Sequence, residues 1–268
     1  MAAGIALMGL QVLKPKPGRK KKNLVKDNFS AQSGGYALFR PTYPDELVDY
    51  IAALASSREL ALDCGAGNGQ LTVKLAARFR QVIGTDISHR QIENAVQMPN
   101  IRYQVTSAES TDFEAGSFDL ITVAQAIHWF DFHAFYSEVR RTLKKDGVLA
   151  VIGYGLLEIE GVVGEMVRHF YARTLAGYWD QERSYIDEQY LSIPFPFREI
   201  KAPVFKNQYD WSLEQLIGYL NTWSAVQHYI RKKGVNPVED LGKELEQNWG
   251  PESHQSVAFP ILLRLGHV

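Results

Sequence analysis

One cysteine, Cys64, is all this chain contains. That excludes an internal disulfide and every zinc motif built on several cysteines, so no metal site is expected and a reducing, cytoplasmic setting is. Net charge is equally scarce. A formal −1 over 268 residues gives no global attraction to nucleic acid or to a membrane surface. The apolar stretch from Met1 to Leu13 is too short to span a bilayer, and its positive charges follow the apolar run instead of preceding it as in a secretory signal. A P-loop is missing, since no Gly-Lys-Ser/Thr follows the glycines at 65–69. A G-x-G-x-x-G dinucleotide fingerprint is missing too, because Gly65, Gly67 and Gly69 alternate and position 70 is Gln.

What is present begins with an uneven spread of charge. Residues 1–27 hold Lys14, Lys16, Arg19, Lys20, Lys21, Lys22 and Lys26 against Asp27 alone, so the remainder of the chain is acidic. Pro15, Pro17 and Gly18 break any helix there, and residues 1–28 read as a flexible basic extension ahead of one domain at 29–268. At 46% hydrophobic residues, that domain can fill a core.

From Pro44 on, Leu47, Val48, Ile51 and Leu54 fall at helical spacing through Ala55. Then comes Glu59-Leu60-Ala61-Leu62-Asp63-Cys64, a short apolar run that reads as a buried strand, closed by three glycines within five residues. Such a turn lets the backbone take positive φ and approach a ligand that a Cβ would obstruct. A helix from Leu71 to about Phe79 follows, then strands at 81–87, 101–105 and 118–124, with a helix from His89 to about Val96 between the first two. Asp131 caps a helix running to Leu143, Asp146-Gly147 turns the chain, and the fifth strand is Val148–Gly153. Strand and helix alternate in the manner of a doubly wound α/β sheet. From about 156 to 205 the rhythm becomes Tyr- and Trp-rich and helical, an insertion. Ser212 opens a helix through Asn221, a further piece follows Gly234, and Val257–Leu265 closes the chain as a strand whose Pro260 marks an irregular or edge position.

Asp63-Cys64-Gly65-Ala66-Gly67-Asn68-Gly69, Asp86 at the end of the second strand, and Ala108-Glu109 after the third together resemble the class I S-adenosylmethionine-dependent methyltransferases of the type 11 kind. The resemblance implies a mainly parallel, seven-stranded, Rossmann-like sheet with one antiparallel strand near the C-terminus and a helical lid from the insertion. It also implies a cofactor site in which the glycine turn and Asp63 hold the amino-acid portion and Asp86 takes both ribose hydroxyls, with Ile87 lying against adenine. Ala108 and Glu109 would meet the adenine edge, and Gln125 and Ala126 would line the methionine portion. S-adenosyl-L-homocysteine would be the product. One carboxylate accepting two hydrogen bonds from a diol is physically reasonable.

Tyr36 with Phe39-Arg40-Pro41-Thr42-Tyr43-Pro44, then Gln125-Ala126-Ile127-His128-Trp129-Phe130-Asp131, and Trp223-Ser224-Ala225-Val226-Gln227, look like the trans-aconitate methyltransferase-related group, which methylates small molecules. The acceptor expected on that basis is a carboxylate or hydroxyl of a small acidic metabolite. Arg40 is the candidate cation for a carboxylate and His128 the candidate base for a hydroxyl. Tyr36 is expected over the cofactor, and Tyr43, Trp129, Trp223 and Gln227 against the substrate. Each also has a plainer reading: His128 hydrogen-bonded to its loop, Arg40 paired with a carboxylate, the aromatics as core. A nucleic-acid or protein methyltransferase is an alternative, although the Asn/Asp-Pro-Pro-Tyr/Phe loop of enzymes acting on exocyclic amines is replaced here by Gln125-Ala126-Ile127-His128. A non-enzymatic protein that binds the cofactor and works through a partner is another. A monomer acting on a small molecule, without nucleic acid or a membrane span, is the working expectation.

Overall fold

The computed structural model describes residues 39–268. The basic extension expected at 1–28 and Tyr36 lie outside the described residues.

Five strands run parallel in the order β3-β2-β1-β4-β5: β1 (Leu60–Cys64), β2 (Gln81–Asp86), β3 (Ile101–Val105), β4 (Phe118–Ala124) and β5 (Leu143–Tyr154). β8 (His254–His267) lies antiparallel beside β5, and β6 (Arg198–Ile200) pairs antiparallel with the end of β8. They match the count of seven that the resemblance implies, although β6 falls within the stretch read as a helical insertion, and β8 is the one that runs against the rest. An eighth, β7 (Lys206–Ser212), pairs with the first half of β8 and was not anticipated. Pro260 sits where β8 passes from β7 to β5: Lys206 faces Pro260 and Tyr154 faces Ile261. Lacking an N–H, Pro260 still accepts from Gly155 through its carbonyl at 3.0 Å.

Burial alternates along the strands as a two-sided sheet requires. Leu120, Val148, Ala150 and Ile152 join one core with α1 (Asp45–Leu54) and α2 (Gln70–Ala76), while Ile121, Leu149 and Val151 join the other with α4 (Phe132–Thr142). β4 is buried on both faces, which is why it reads as an unbroken apolar run. Its one charge there, Asp119, accepts from Ser57 Oγ, the Glu59 and Leu60 amides and Lys144 Nζ, and so ties the start of β1 to β4.

Several boundaries depart from the periodicity. α2 ends at Ala76 and α3 (His89–Glu93) is one short turn shorter than its pattern, with Asn94 as its C-cap. Asp146-Gly147 does not separate two elements. It is absorbed in β5 as an irregularity in the pairing with β4 between Phe118 and Leu120. The stretch from 156 to 205 is only partly helical: α5 (Gly161–His169), a π-turn at Phe170–Thr174 and α6 (Arg183–Asp187) precede β6. The helical layer is completed by α7 (Leu213–Asn221), α8 (Ser224–Lys233) and α9 (Pro237–Asn248). α7 begins with a full capping box in which Ser212 Oγ accepts from Gln215 N and Gln215 Oε1 accepts from Ser212 N.

The chain leaves β1 toward β2 and β3 in one direction and then crosses to β4 and β5 in the other. The carboxyl ends of β1 and β4 therefore flank the switch point, where an open α/β sheet leaves a crevice.

Candidate active site

At that crevice Gly65, Gly67 and Gly69 take φ values of 67°, 55° and 88°, a left-handed conformation that side chains resist. A Cβ on Gly65 would come within 2.6 Å of Ala126 Cβ. One on Gly69 would collide with the Tyr103 hydroxyl, and Gly69 is the N-cap of α2 and does not line the cleft. Gly67 N donates to Asp86 Oδ2 at 2.9 Å, and Asp86 Oδ1 accepts from Ser88 N at 2.8 Å. The glycine turn and the acid ending β2 are thus one hydrogen-bonded unit.

Asp63 is buried beneath this unit, its Oδ2 accepting from Thr72 Oγ1 at 2.7 Å and its Oδ1 from Thr122 Oγ1 at 2.8 Å. Loss of solvent raises its pKa to about 6 against the lowering effect of both threonines, and the nearby Asp86 charge adds to the rise. Cys64 beside it is buried, which pushes its thiol pKa up and leaves it unreactive.

Asp63, Gly65, Ala66, Gly67, Asn68, Asp86, Ile87, Ala108, Glu109, Gln125 and Ala126 all line one cleft, together with Arg40 and Tyr43. Ile87 is 44% exposed there, an apolar wall directly after Asp86. Glu109 is held by Ser107 Oγ and by Asp131 N, at 3.2 Å from Oε1, so it braces the loop to the cap of α4. Tyr43, expected against a substrate, lies on this cleft and not on the neighbouring cavity, because its ring packs toward Tyr154. Ser88, Gln91, Thr106 and Phe130 line the cleft as well and carry no motif signal beyond their nearness to the acids.

A second cavity opens under the helical layer and meets the first at Arg40, Gln125, Trp129 and Tyr154. His128, Trp223 and Gln227 line it, as do Trp179, Asp180, Arg183, His228 and Arg231, which sequence reasoning missed. Trp223 is also core, stacked on Phe170 and edge-on to Tyr171. Gln227 Nε2 donates to Asn221 O at 2.9 Å. Arg40 donates to Tyr154 Oη at 3.2 Å and to Thr222 O at 3.0 Å and lies over the Tyr219 ring, which places a guanidinium at the junction. Gln125, also at the junction, has φ 53° although it is not glycine, and its Nε2 donates to Tyr154 O at 3.2 Å. Strain of this kind persists where the surroundings over-determine it.

His128 does not sit in the environment of a base. It is buried against Tyr190, whose Oη is 3.3 Å from Nδ1, and burial together with the Arg183 charge lowers its pKa to about 3. An imidazole that weakly basic is a poor proton acceptor for a hydroxyl at neutral pH.

The cleft suits the sulfonium cofactor that the glycine turn implies. Three carboxylates, Asp63, Asp86 and Glu109, outnumber Arg40 along its lining, which favours a sulfonium and an ammonium and opposes a pyrophosphate. The backbone approach at Gly67 is open, since a Cβ there would meet only Gln91 Oε1, at 4.0 Å. Among the described residues no cluster fit to hold a metal ion occurs, and no helix is long and apolar enough to cross a membrane.

Comparison with known proteins agrees with this geometry. Residues 62–151 match the family model described as a methyltransferase domain. A protein of Dictyostelium discoideum provisionally named a methyltransferase is 39% identical over 249 residues, covering 89% of this chain and 94% of its own. An uncharacterized methyltransferase of Schizosaccharomyces pombe is 25% identical over 82% of this chain and 86% of its own. The solved structure of a protein from Anaeromyxobacter dehalogenans, provisionally named a type II methyltransferase, superposes with a TM-score of 0.80 at 37% identity, covering 85% of this chain and 98% of that one.

Proposed function

Because the chain belongs to the class I S-adenosylmethionine-dependent methyltransferases, we propose that it methylates a small acidic molecule held in the second cavity, on a carboxylate oxygen. Asp86 would accept the ribose hydroxyls, Ile87 and Ala108 would flank adenine, and Asp63 with the backbone of Gly65, Ala66 and Gly67 would hold the amino-acid end. When bound, the cofactor supplies a methyl group already activated on a positively charged sulfur. What remains for the protein is to orient the acceptor and exclude water.

The observation that carries the acidic acceptor is the charge of the second cavity: Arg40, Arg183 and Arg231 against Asp180. Guanidinium groups grip carboxylates through paired hydrogen bonds. The likeness to trans-aconitate methyltransferase-related enzymes points the same way. Two stretches about 100 residues apart in the chain, around Gln125–Trp129 and Trp223–Gln227, converge on this one cavity. The test is an assay with pooled metabolites and the methyl donor, followed by mass spectrometry. A methylated acid whose product releases methanol on alkaline hydrolysis is expected. Methylation confined to neutral amines or alcohols overturns the reading.

A further inference from the structure

We propose that Tyr190 fixes His128 as a neutral hydrogen-bond donor, presenting Nε2–H to the carboxylate of the acceptor in the second cavity. This rests on the reading of that cavity as an acid site. It makes His128 a recognition residue and Tyr190 a positioning residue.

The argument starts from a buried proton. Tyr190 is fully buried, and its hydroxyl makes one hydrogen bond among the described residues, to His128 Nδ1 at 3.3 Å. A buried O–H that donates to nothing costs about 1–3 kcal/mol, so the phenol proton points at Nδ1. Nδ1 is then the acceptor, and the single proton of a neutral imidazole resides on Nε2. The reverse tautomer would leave the phenol proton without an acceptor.

Tyr190 has little freedom to do otherwise. Its backbone is in the left-handed region at φ 61°, and its ring fills the space over Gly153, where a Cβ would come within 2.6 Å of Cε2. Its carbonyl and that of Ile193 accept from Arg264 Nη1 at 3.1 and 2.6 Å, which fastens the segment to β8. The His128 ring is held on its other side by Trp129, at 4.9 Å between centroids. His128 Nε2 makes no hydrogen bond among the described residues, and the residue lines the cavity that also receives Arg40 and Arg183. A donor N–H and guanidinium groups around one cavity form a site for an oxyanion. An ionised carboxylate has no proton to lose, so no base is needed for it. The lowered pKa of His128 agrees, since a neutral ring is what the hydrogen bond requires.

Nitrogen-15 spectra of the histidine rings in the full-length protein test this directly, with the His128 signals assigned from their loss in His128→Gln. The Nε2–H tautomer is expected at neutral pH, and succinate should shift that N–H resonance downfield while the neutral isostere succinamide does not. Tyr190→Phe keeps the ring and removes the proton. It should mix the tautomers and weaken succinate binding about fivefold, with cofactor affinity unchanged. His128→Gln, which keeps an N–H donor, should bind succinate within about twofold of the parent, and His128→Leu should lose about tenfold. An Nδ1–H tautomer, an imidazolium at neutral pH, a tautomer unmoved by Tyr190→Phe, or equal responses to succinate and succinamide would each overturn the proposal. The acid-acceptor reading fails separately, by the absence of a methylated acid from the metabolite assay while the Nε2–H tautomer stands.

Discussion

Asp86 organises the glycine turn through Gly67 N, and on the proposed cofactor placement its carboxylate would also grip the ribose. Asp86→Ala removes an ionised acceptor from each, and hydrogen bonds to charged groups are worth about 1.5–3 kcal/mol apiece. Calorimetry should therefore show cofactor affinity reduced on the order of a hundredfold, and unchanged affinity would refute the placement. Asp63 gives a pH signature. Its folded pKa of about 6 lies above the ordinary aspartate value of 3.8, so the folded protein holds this proton more tightly than the unfolded chain does. That contribution to stability is fully present below about 3.8 and is lost as pH rises through about 6. An ammonium bound nearby favours the carboxylate and reverses the shift. Cofactor binding at a pH between those two values should release a proton, read as a dependence of binding heat on buffer ionisation enthalpy, and affinity should fall as the solution is acidified below about 6. Asp63, Asp86 and the glycines were legible in the sequence because a strand, a tight turn and a helix start are local. The contact of His128 with Tyr190, 62 residues away, was not legible, because nothing local in the sequence joins them.

At the scale of elements, β4 and the later part of β5 were readable because burial on both faces leaves long apolar runs, while β3 shows only alternation of apolar with polar residues. β7 was not readable. Lys206, Gln208 and Asp210 alternate with the better buried Asn207, Tyr209 and Trp211, so one polar face and an asparagine hide a strand that exists because β8 offers it an edge. The insertion resisted reading for a related reason. Arg183 and Trp179 line the cavity while bonded to Tyr171, Arg183 Nε to its Oη at 2.8 Å and Trp179 Nε1 to its carbonyl at 3.2 Å, and the same stretch reaches β5 where Tyr190 packs on Gly153; nothing in their spacing encodes those contacts. The cluster Trp179-Asp180-Gln181-Glu182-Arg183, charged amid aromatics, was the one available hint. Gly153 is the point of contact. Gly153→Ala would drive a methyl group into the Tyr190 ring, an overpacking that typically costs about 1–3 kcal/mol. Denaturant titration should show that loss, and acceptor turnover should fall while cofactor affinity, set on the other side of the junction, stays near its parent value.

The whole molecule divides its labour along the sheet's switch point. On the proposed function the acid-lined cleft would take the donor and the arginine-lined cavity the acceptor, and the two share Arg40, Gln125, Trp129 and Tyr154 as their common wall. Opposite charge on the two sides would then hold a cationic donor and an anionic acceptor without either competing for the other's site. Residues on the shared wall and residues beyond it should therefore behave differently. Arg40 also bridges Tyr154 on β5 and the Thr222 carbonyl ahead of α8, so Arg40→Met should lower stability and weaken both ligands. Arg231 lies in the last turn of α8, exposed at the far rim of the second cavity. Its attraction for an acid acts through solvent and is screened over about 10 Å at 0.1 M salt. Arg231→Ala should raise the KM for an acidic acceptor by about three- to tenfold at low salt, with kcat and cofactor affinity unchanged. In molar salt the parent and the variant should converge. A KM difference that persists there would mean that Arg231 shapes the cavity by contact and that long-range charge is not what draws the acid in.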